Sequence, residues 1–206
     1  MKQNSMNNHS KVIGITGGVG TGKSYVCSLI KRHLGYPVID SDSVSREQMV
    51  PGSTVLEQVY EAFGTEIANE DGTLNRSALA QIVFQDDNKL ALLNSITHPA
   101  AIAEIKRQIA AYKAENIPYI FVESALACSA GYRDFCDELW CVTAPETVRR
   151  YRLRKERGYS DERISAVFAE QMSEEELQSL CDKEIINSNM VGDLELCYQI
   201  EDNLGL

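Results

Sequence analysis

Five short apolar runs, rich in β-branched residues, punctuate the chain: KVIGIT (11–16), YPVID (36–40), YIFVE (119–123), LWCVT (139–143) and EIIN (184–187). They are continuous rather than alternating, which suits strands buried on both faces. Between them lie longer stretches with helical spacing, beginning with KSYVCSLIKRHL, which Gly35 ends. Strands alternating with helices form right-handed crossovers and a parallel sheet. The pattern therefore predicts an α/β fold: a five-stranded parallel sheet with helices on both faces.

The gap from 43 to 117 is too long for one crossover. It holds helical stretches such as ALAQIVF and AIAEIKRQIAAYKAEN, and DGT at 71–73 marks a turn. Pro99 is expected in the first turn of a helix, where its missing N–H costs nothing. The expected layout is one domain over 11–206. Its core is 11–42, 118–143 and 176–206, with a helical insertion at 43–117 and a second helical excursion at 144–175. The polar start MKQNSMNNHS reads as a tail over 1–10 and lacks the apolar centre of a leader peptide. No internal repeat or low-complexity linker is visible.

Composition narrows the partners. Of 206 residues, 44% are hydrophobic and 24% charged, which fits a soluble globular chain. The net charge of −10 argues against a nucleic-acid partner. No apolar run is long enough to span a membrane. The six cysteines show no CxxC spacing and do not cluster in sequence with the three histidines, so neither a disulfide framework nor a zinc site is suggested. Scattered thiols fit a reducing cytoplasm. An acidic protein that binds an anion must concentrate positive charge locally.

One stretch does so with backbone. Gly17, four residues, then Gly22-Lys23-Ser24 follows the first strand and opens a helix, the context a phosphate loop requires. The bland alternative is a chance glycine-rich turn. In a phosphate loop, glycines aim successive N–H groups at phosphate oxygens, and the helix N-terminus adds partial positive charge. The stretch Gly18, Val19, Gly20, Thr21, Gly22, Lys23, Ser24 and Tyr25 is the expected nucleotide site. Lys23 is expected to reach the β- and γ-phosphates, and the Ser24 hydroxyl to ligate Mg²⁺.

Carboxylates and arginines stand near that frame. Asp40 and Asp42 close the second strand, where open parallel sheets bind ligands. One of the pair is equally well a helix cap; Asp42 is the one expected to orient an acceptor hydroxyl and take its proton. Glu123, ending the third strand, either holds a Mg²⁺-bound water or caps the next segment. RRYRLRKER (149–157) carries five Arg and one Lys in nine residues. Such a helix is either a solvated face or a lid that closes over phosphates with Gly158 as hinge. Arg150 and Arg154, spaced i, i+4, are the expected phosphate contacts, with Arg157 nearby.

Taken together, these residues resemble the dephospho-coenzyme A kinase family over about 12–200. ITGGVGTGKS and VIDSDSVSRE are followed by Pro51-Gly52, Phe63-Gly64, Asp71 to Arg76, His98-Pro99, Gln171 and Asn187 in the family's order. The resemblance implies transfer of phosphate from ATP to the ribose 3′-hydroxyl of dephospho-CoA, the last step of coenzyme A synthesis. It implies that Asp42 faces that hydroxyl, that Arg76, His98 and the helical insertion help bind dephospho-CoA, and that Asn187 contacts the adenine. There are departures. Tyr25 stands where Thr is usual, and Cys128 stands where the family usually has Glu. A guanine-reading Asn-Lys-x-Asp motif is absent, which argues against a GTP-dependent switch. The alternative within the same fold is a nucleoside or nucleotide kinase with another acceptor.

Overall fold

A computed structural model of the chain describes residues 10–125, 127–128, 131–188 and 190–206. All but the last residue of the expected tail fall outside that range, and Ser10 itself is buried. The chain divides into two compact units: the chain up to Ile39 joined with Ala111–Leu206, and Asp40–Ala110.

The first unit carries the sheet. Its strands are β1 (Lys11–Thr16), β2 (Val38–Asp40), β3 (Tyr119–Glu123), β4 (Glu138–Thr143) and β5 (Lys183–Ile186), in the order β2-β3-β1-β4-β5. β1 runs parallel to β3 and β4, and β4 parallel to β5. Alternate side chains, Ile13 and Ile15 with Phe121, Trp140, Val142 and Ile185, form one buried face. Against it pack Val26, Cys27, Leu29 and Ile30 from α1 (Lys23–Leu29) and the wider turn that prolongs it (Ile30–Leu34). Leu196, Ile200 and Leu204 of α9 (Asp193–Leu204) complete that layer at helical spacing. Val12, Ile120, Val122, Leu139 and Cys141 are buried as well, which explains the continuous apolar runs: both faces are covered.

Between β4 and β5 run α6 (Glu146–Arg157), α7 (Asp161–Ala169) and α8 (Glu174–Ser179). Their starts follow local rules. Ser160 Oγ accepts from the Arg163 amide, and Ser173 with Glu176 closes a reciprocal capping box. Gly158 ends α6 at φ 63°, a left-handed stop.

The second unit contains α2 (Ser41–Glu47), α3 (Thr54–Phe63), α4 (Arg76–Val83) and most of α5 (Asp87–Ala114). Leu56, Val59 and Phe63 pack with Ile67, Leu74, Leu79 and Val83 in a small core. Around 71–73 the chain turns as expected, with Asp71 Oδ1 accepting from the Thr73 amide at 3.0 Å. Pro99 corrects its expectation: it lies inside α5, not in a first turn. The helix starts earlier because Asp86 Oδ1 accepts from the amides of Asn88 at 2.9 Å and Lys89 at 3.3 Å. An internal proline costs about 3 kcal/mol. Burial of Thr97, Ala101, Ile105 and Ile109 along one stripe offsets it. His98 is accordingly a mid-helix residue. Among the described residues, no helix is long and apolar enough to cross a membrane.

Candidate nucleotide site

The loop between β1 and α1 is shaped by backbone that other residues resist. Gly20 and Gly22 have φ of 78° and 86°. A Cβ on Gly22 would also lie 2.3 Å from Asn187 Nδ2. Asn187 is 3% exposed, and that Nδ2 donates to the Thr21 carbonyl at 2.8 Å. Its own amide donates to Thr143 O at the end of β4, so a distant strand end fixes the loop. Within the loop, Thr21 Oγ1 donates to Gly18 O at 2.9 Å, and Lys23 Nζ donates to Gly17 O at 2.6 Å. Lys23 and Ser24 open α1, so the lysine ammonium and the helix's leading amides belong to one positive surface.

Ser24 Oγ donates to Glu123 Oε1 at 2.8 Å. Cys27 lies close to the same carboxylate: burial pushes its thiol well up, and Glu123's charge and hydrogen bond add to that. A hydroxyl and a carboxylate in contact are hard oxygen donors. They fit a hard divalent cation such as magnesium, which this pair would help to hold and which would neutralise phosphate charge. The described residues contain no group of three or more His, Cys, Asp or Glu able to hold a metal alone.

Two arginines of α6 reach the loop, and they are not the expected pair. Arg149 Nε donates to Val19 O at 2.9 Å, and its side chain is only 12% exposed. Phe168 lies under its guanidinium at 4.3 Å. Gln171 Oε1 takes both the Val19 amide at 3.0 Å and Arg149 Nη2 at 3.3 Å, so Val19 is held from both sides. Arg152 Nη1 donates to Thr21 O at 3.0 Å, and its Nη2 to Asn187 O at 3.1 Å. Burial pulls the pKa of both guanidinium groups down from the ordinary arginine value. Arg150 and Arg154 bond within the helices between β4 and β5 instead, Arg150 with Glu146 at 2.7 Å and Ser165 at 3.2 Å, Arg154 with Asp161 at 2.7 Å. Arg157 is exposed. The usable signal was Leu153, buried in an otherwise polar run: a buried apolar residue marks the inward face, and Arg149 lies one turn before it.

In the second unit the two aspartates separate their roles. Asp40 caps α2: its Oδ1 accepts from the amides of Asp42 at 3.0 Å and Ser43 at 3.2 Å, and Oδ2 from Ser43 Oγ at 2.7 Å. Burial pushes its carboxyl up, but these hydrogen bonds outweigh it and hold the pKa below the usual carboxylate value. Asp42 sits exposed in the first turn of α2.

A family model described as dephospho-CoA kinase matches residues 11–193. The chain belongs to the dephospho-CoA kinase family. A dephospho-CoA kinase of Carboxydothermus hydrogenoformans is 37% identical over 180 residues, covering 87% of each chain. One of Corynebacterium diphtheriae is 39% identical over 178 residues, covering 86% of this chain and 88% of its own. Among solved structures, a Thermus thermophilus protein superposes with a TM-score of 0.80 at 30% identity, covering 95% of this chain and 96% of its own. A Campylobacter jejuni dephospho-CoA kinase matches in fold with a TM-score of 0.71 at 23% identity, over 95% of this chain and 98% of its own.

Members of the dephospho-CoA kinase family act on ATP, and the remaining family-matched positions fall as follows. Tyr25 is 44% exposed on α1, and its hydroxyl donates to Asp193 Oδ1 at the start of α9. Arg76 opens α4, exposed, with Nη2 donating to Arg46 O at 3.2 Å. His98 is half-buried on α5. Asn187 has its amide engaged by the loop and by Arg152 Nη2 at 3.2 Å. Cys128, at the dephospho-CoA kinase family's usual Glu position, has a sulfur neighbour instead of a phosphate-loop partner: Cys181 Sγ at 3.8 Å.

Proposed function

We infer that the protein transfers the terminal phosphate of ATP to the ribose 3′-hydroxyl of dephospho-CoA, giving coenzyme A. The observation that carries this reading is the built phosphate loop, with Lys23 and the Ser24–Glu123 pair at its exit, in a chain of this family. In this reading the loop amides and Lys23 hold the β- and γ-phosphates. Ser24 and Glu123 hold magnesium, which neutralises phosphate charge when bound. Asp42 orients the 3′-hydroxyl and accepts its proton. Its support is that Asp40 takes the capping work, leaving the Asp42 carboxylate exposed with no hydrogen bond to its oxygens among the described residues. Arg149 and Arg152 steady the loop from the lid, while Arg150 and Arg154 brace the lid itself. Arg76 and His98 serve the dephospho-CoA side, and Asn187 the adenine side through the loop it clamps. A cytoplasmic setting belongs to the same reading, since all six cysteines are free thiols.

The test is a product assay with ATP and Mg²⁺, offering dephospho-CoA beside adenosine, AMP and water. Phosphorylation of dephospho-CoA at the 3′ position is expected to dominate; preference for another acceptor refutes the reading. Asp42→Asn is expected to bind ATP within about tenfold of wild type yet transfer phosphate at least about a hundredfold more slowly, within the range for a general base. Unchanged single-turnover chemistry removes Asp42 from the mechanism.

A further inference from the structure

Three of the six cysteines, far apart in sequence, meet in the first unit. Cys128 follows β3, Cys141 lies inside β4, and Cys181 lies between α8 and β5. Cys128 Sγ and Cys181 Sγ are 3.8 Å apart. Cys141 is 1% exposed and donates to Lys183 O at 3.5 Å, near enough to Cys181 for the two thiols to influence each other's titration. Phosphoryl transfer as proposed uses none of the three.

The backbone around the outer pair is already fastened. Arg133 donates to Asp182 Oδ2 at 2.6 Å and to Leu180 O at 2.6 Å, the residues on either side of Cys181. Asp182 is fixed in turn to β4: its Oδ2 accepts from the Leu139 amide at 2.7 Å, and its own amide donates to Leu139 O at 2.7 Å. The segment bearing Cys181 is thus strapped to the chain that leads away from Cys128. A disulfide places its sulfurs about 2.05 Å apart. The two half-buried thiols stand at 3.8 Å, in contact but not bonded, in segments outside the strands.

We propose that Cys128 and Cys181 form a reversible dithiol–disulfide site that reacts with low-molecular-weight disulfides. The Cys128 thiolate attacks one sulfur of the small disulfide, whose S–S bond breaks and releases one small thiolate. Cys181 then loses its proton and attacks Cys128 Sγ, forming the protein disulfide and expelling the second small thiolate. Two protein thiols are oxidised, one small disulfide is reduced to two thiols, and the two protein protons end on them. The order follows from the surroundings. Burial holds the Cys128 thiol above its ordinary value even though the Cys181 hydrogen bond and the Arg133 charge pull it down. Cys181 is pushed up by the hydrogen bond to Cys141 and by burial, so it enters second. The bond joins the segment leaving β3 to the stretch by which the lid helices return to the sheet.

The intact protein, treated with oxidised glutathione, alkylated and mapped by mass spectrometry, tests this. Expected are a single Cys128–Cys181 crosslink with loss of two of the six free thiols, and its reversal by dithiothreitol. Cys128→Ser should abolish the crosslink at an unchanged Tm, and Cys197→Ser should leave it intact. A Cys141–Cys181 crosslink, glutathione adducts without a crosslink, six free thiols, or a crosslink surviving Cys128→Ser each overturns the proposal. The wild-type map decides the matter if a variant fails to fold. The readout involves no kinase assay, so it stands or falls separately from the functional reading.

Discussion

The phosphate loop and helix α6 meet at the candidate nucleotide site and are built from opposite materials. The loop uses backbone: its glycines hold φ values other residues avoid, and its spacing alone announces it. Helix α6 uses long side chains, five arginines in nine residues, and their spacing announces only that charge is present. Which arginines matter depends on how the helix is rotated about its axis. Arg149 and Arg152 donate to loop carbonyls, whereas Arg150 and Arg154 pair with Glu146 and Asp161. A function built from backbone is written in residue type and spacing. One built from flexible side chains is written in helix phase, which needs a second landmark.

Replacing residues in each region sharpens the contrast. The largest effect is expected from Lys23→Ala: at least about a hundredfold loss in single-turnover rate with the fold retained, as for a removed charge on a transferring group. Near-normal turnover in the folded variant would dismiss the lysine's role. Gly22→Ala comes next. It combines a φ of 86° with a Cβ only 2.3 Å from Asn187 Nδ2, whereas Gly35→Ala has a φ of 72° and open space around it. The conformational cost alone is about 1–2 kcal/mol at either site. Gly22→Ala should therefore lower Tm further than Gly35→Ala and weaken ATP binding about tenfold, while Gly35→Ala leaves binding unchanged. Equal losses would mean that packing against Asn187 does not matter.

Smaller effects separate the arginines. Arg149→Ala and Arg152→Ala each lose a charge-assisted hydrogen bond to the loop, worth about 1.5–3 kcal/mol, so kcat/KM for ATP should fall about tenfold or more. Arg150→Ala and Arg154→Ala break exposed pairs worth about 0.2–1 kcal/mol and should stay within about threefold. The reverse ranking in steady-state kinetics would break the comparison. Smallest is Asp40→Ala, about 1 kcal/mol of stability for a lost helix cap. Because folding lowers the Asp40 pKa, its contribution is full above the ordinary carboxylate pKa of about 3.9. It fades as pH falls through the folded value. Denaturation of wild type and variant at neutral and acid pH should show the gap closing in acid; a constant gap would assign the loss to another cause.

The strands were legible because burial on both faces leaves uninterrupted apolar runs, and β1 and β3 begin and end where those runs do. The phosphate loop was legible for the reason given above. Asp40 and Asp42 were legible as a pair but not as individuals, since either carboxylate can cap a helix and only the backbone path selects one. Pro99 misled because the local preference of proline yielded to a long buried stripe. For Arg149 the landmark was there in Leu153, which gives the phase of α6, but the loop that this face meets is not written in the run itself. The three-cysteine cluster was out of reach: it depends on which segments the topology brings together, and no spacing along the chain records that.

The Asn187 clamp has a consequence for how the protein is made. The amide that holds Thr21 is 166 residues further along the chain, just past the last strand of the sheet. Contacts of such separation are formed late, because the intervening chain must be ordered first. During synthesis the glycines, the lysine and the serine of the loop precede their clamp by 166 residues. The clamped loop is therefore complete only once β5 has joined the sheet and Asn187 has reached Thr21, rather than when the segment that bears the motif is made.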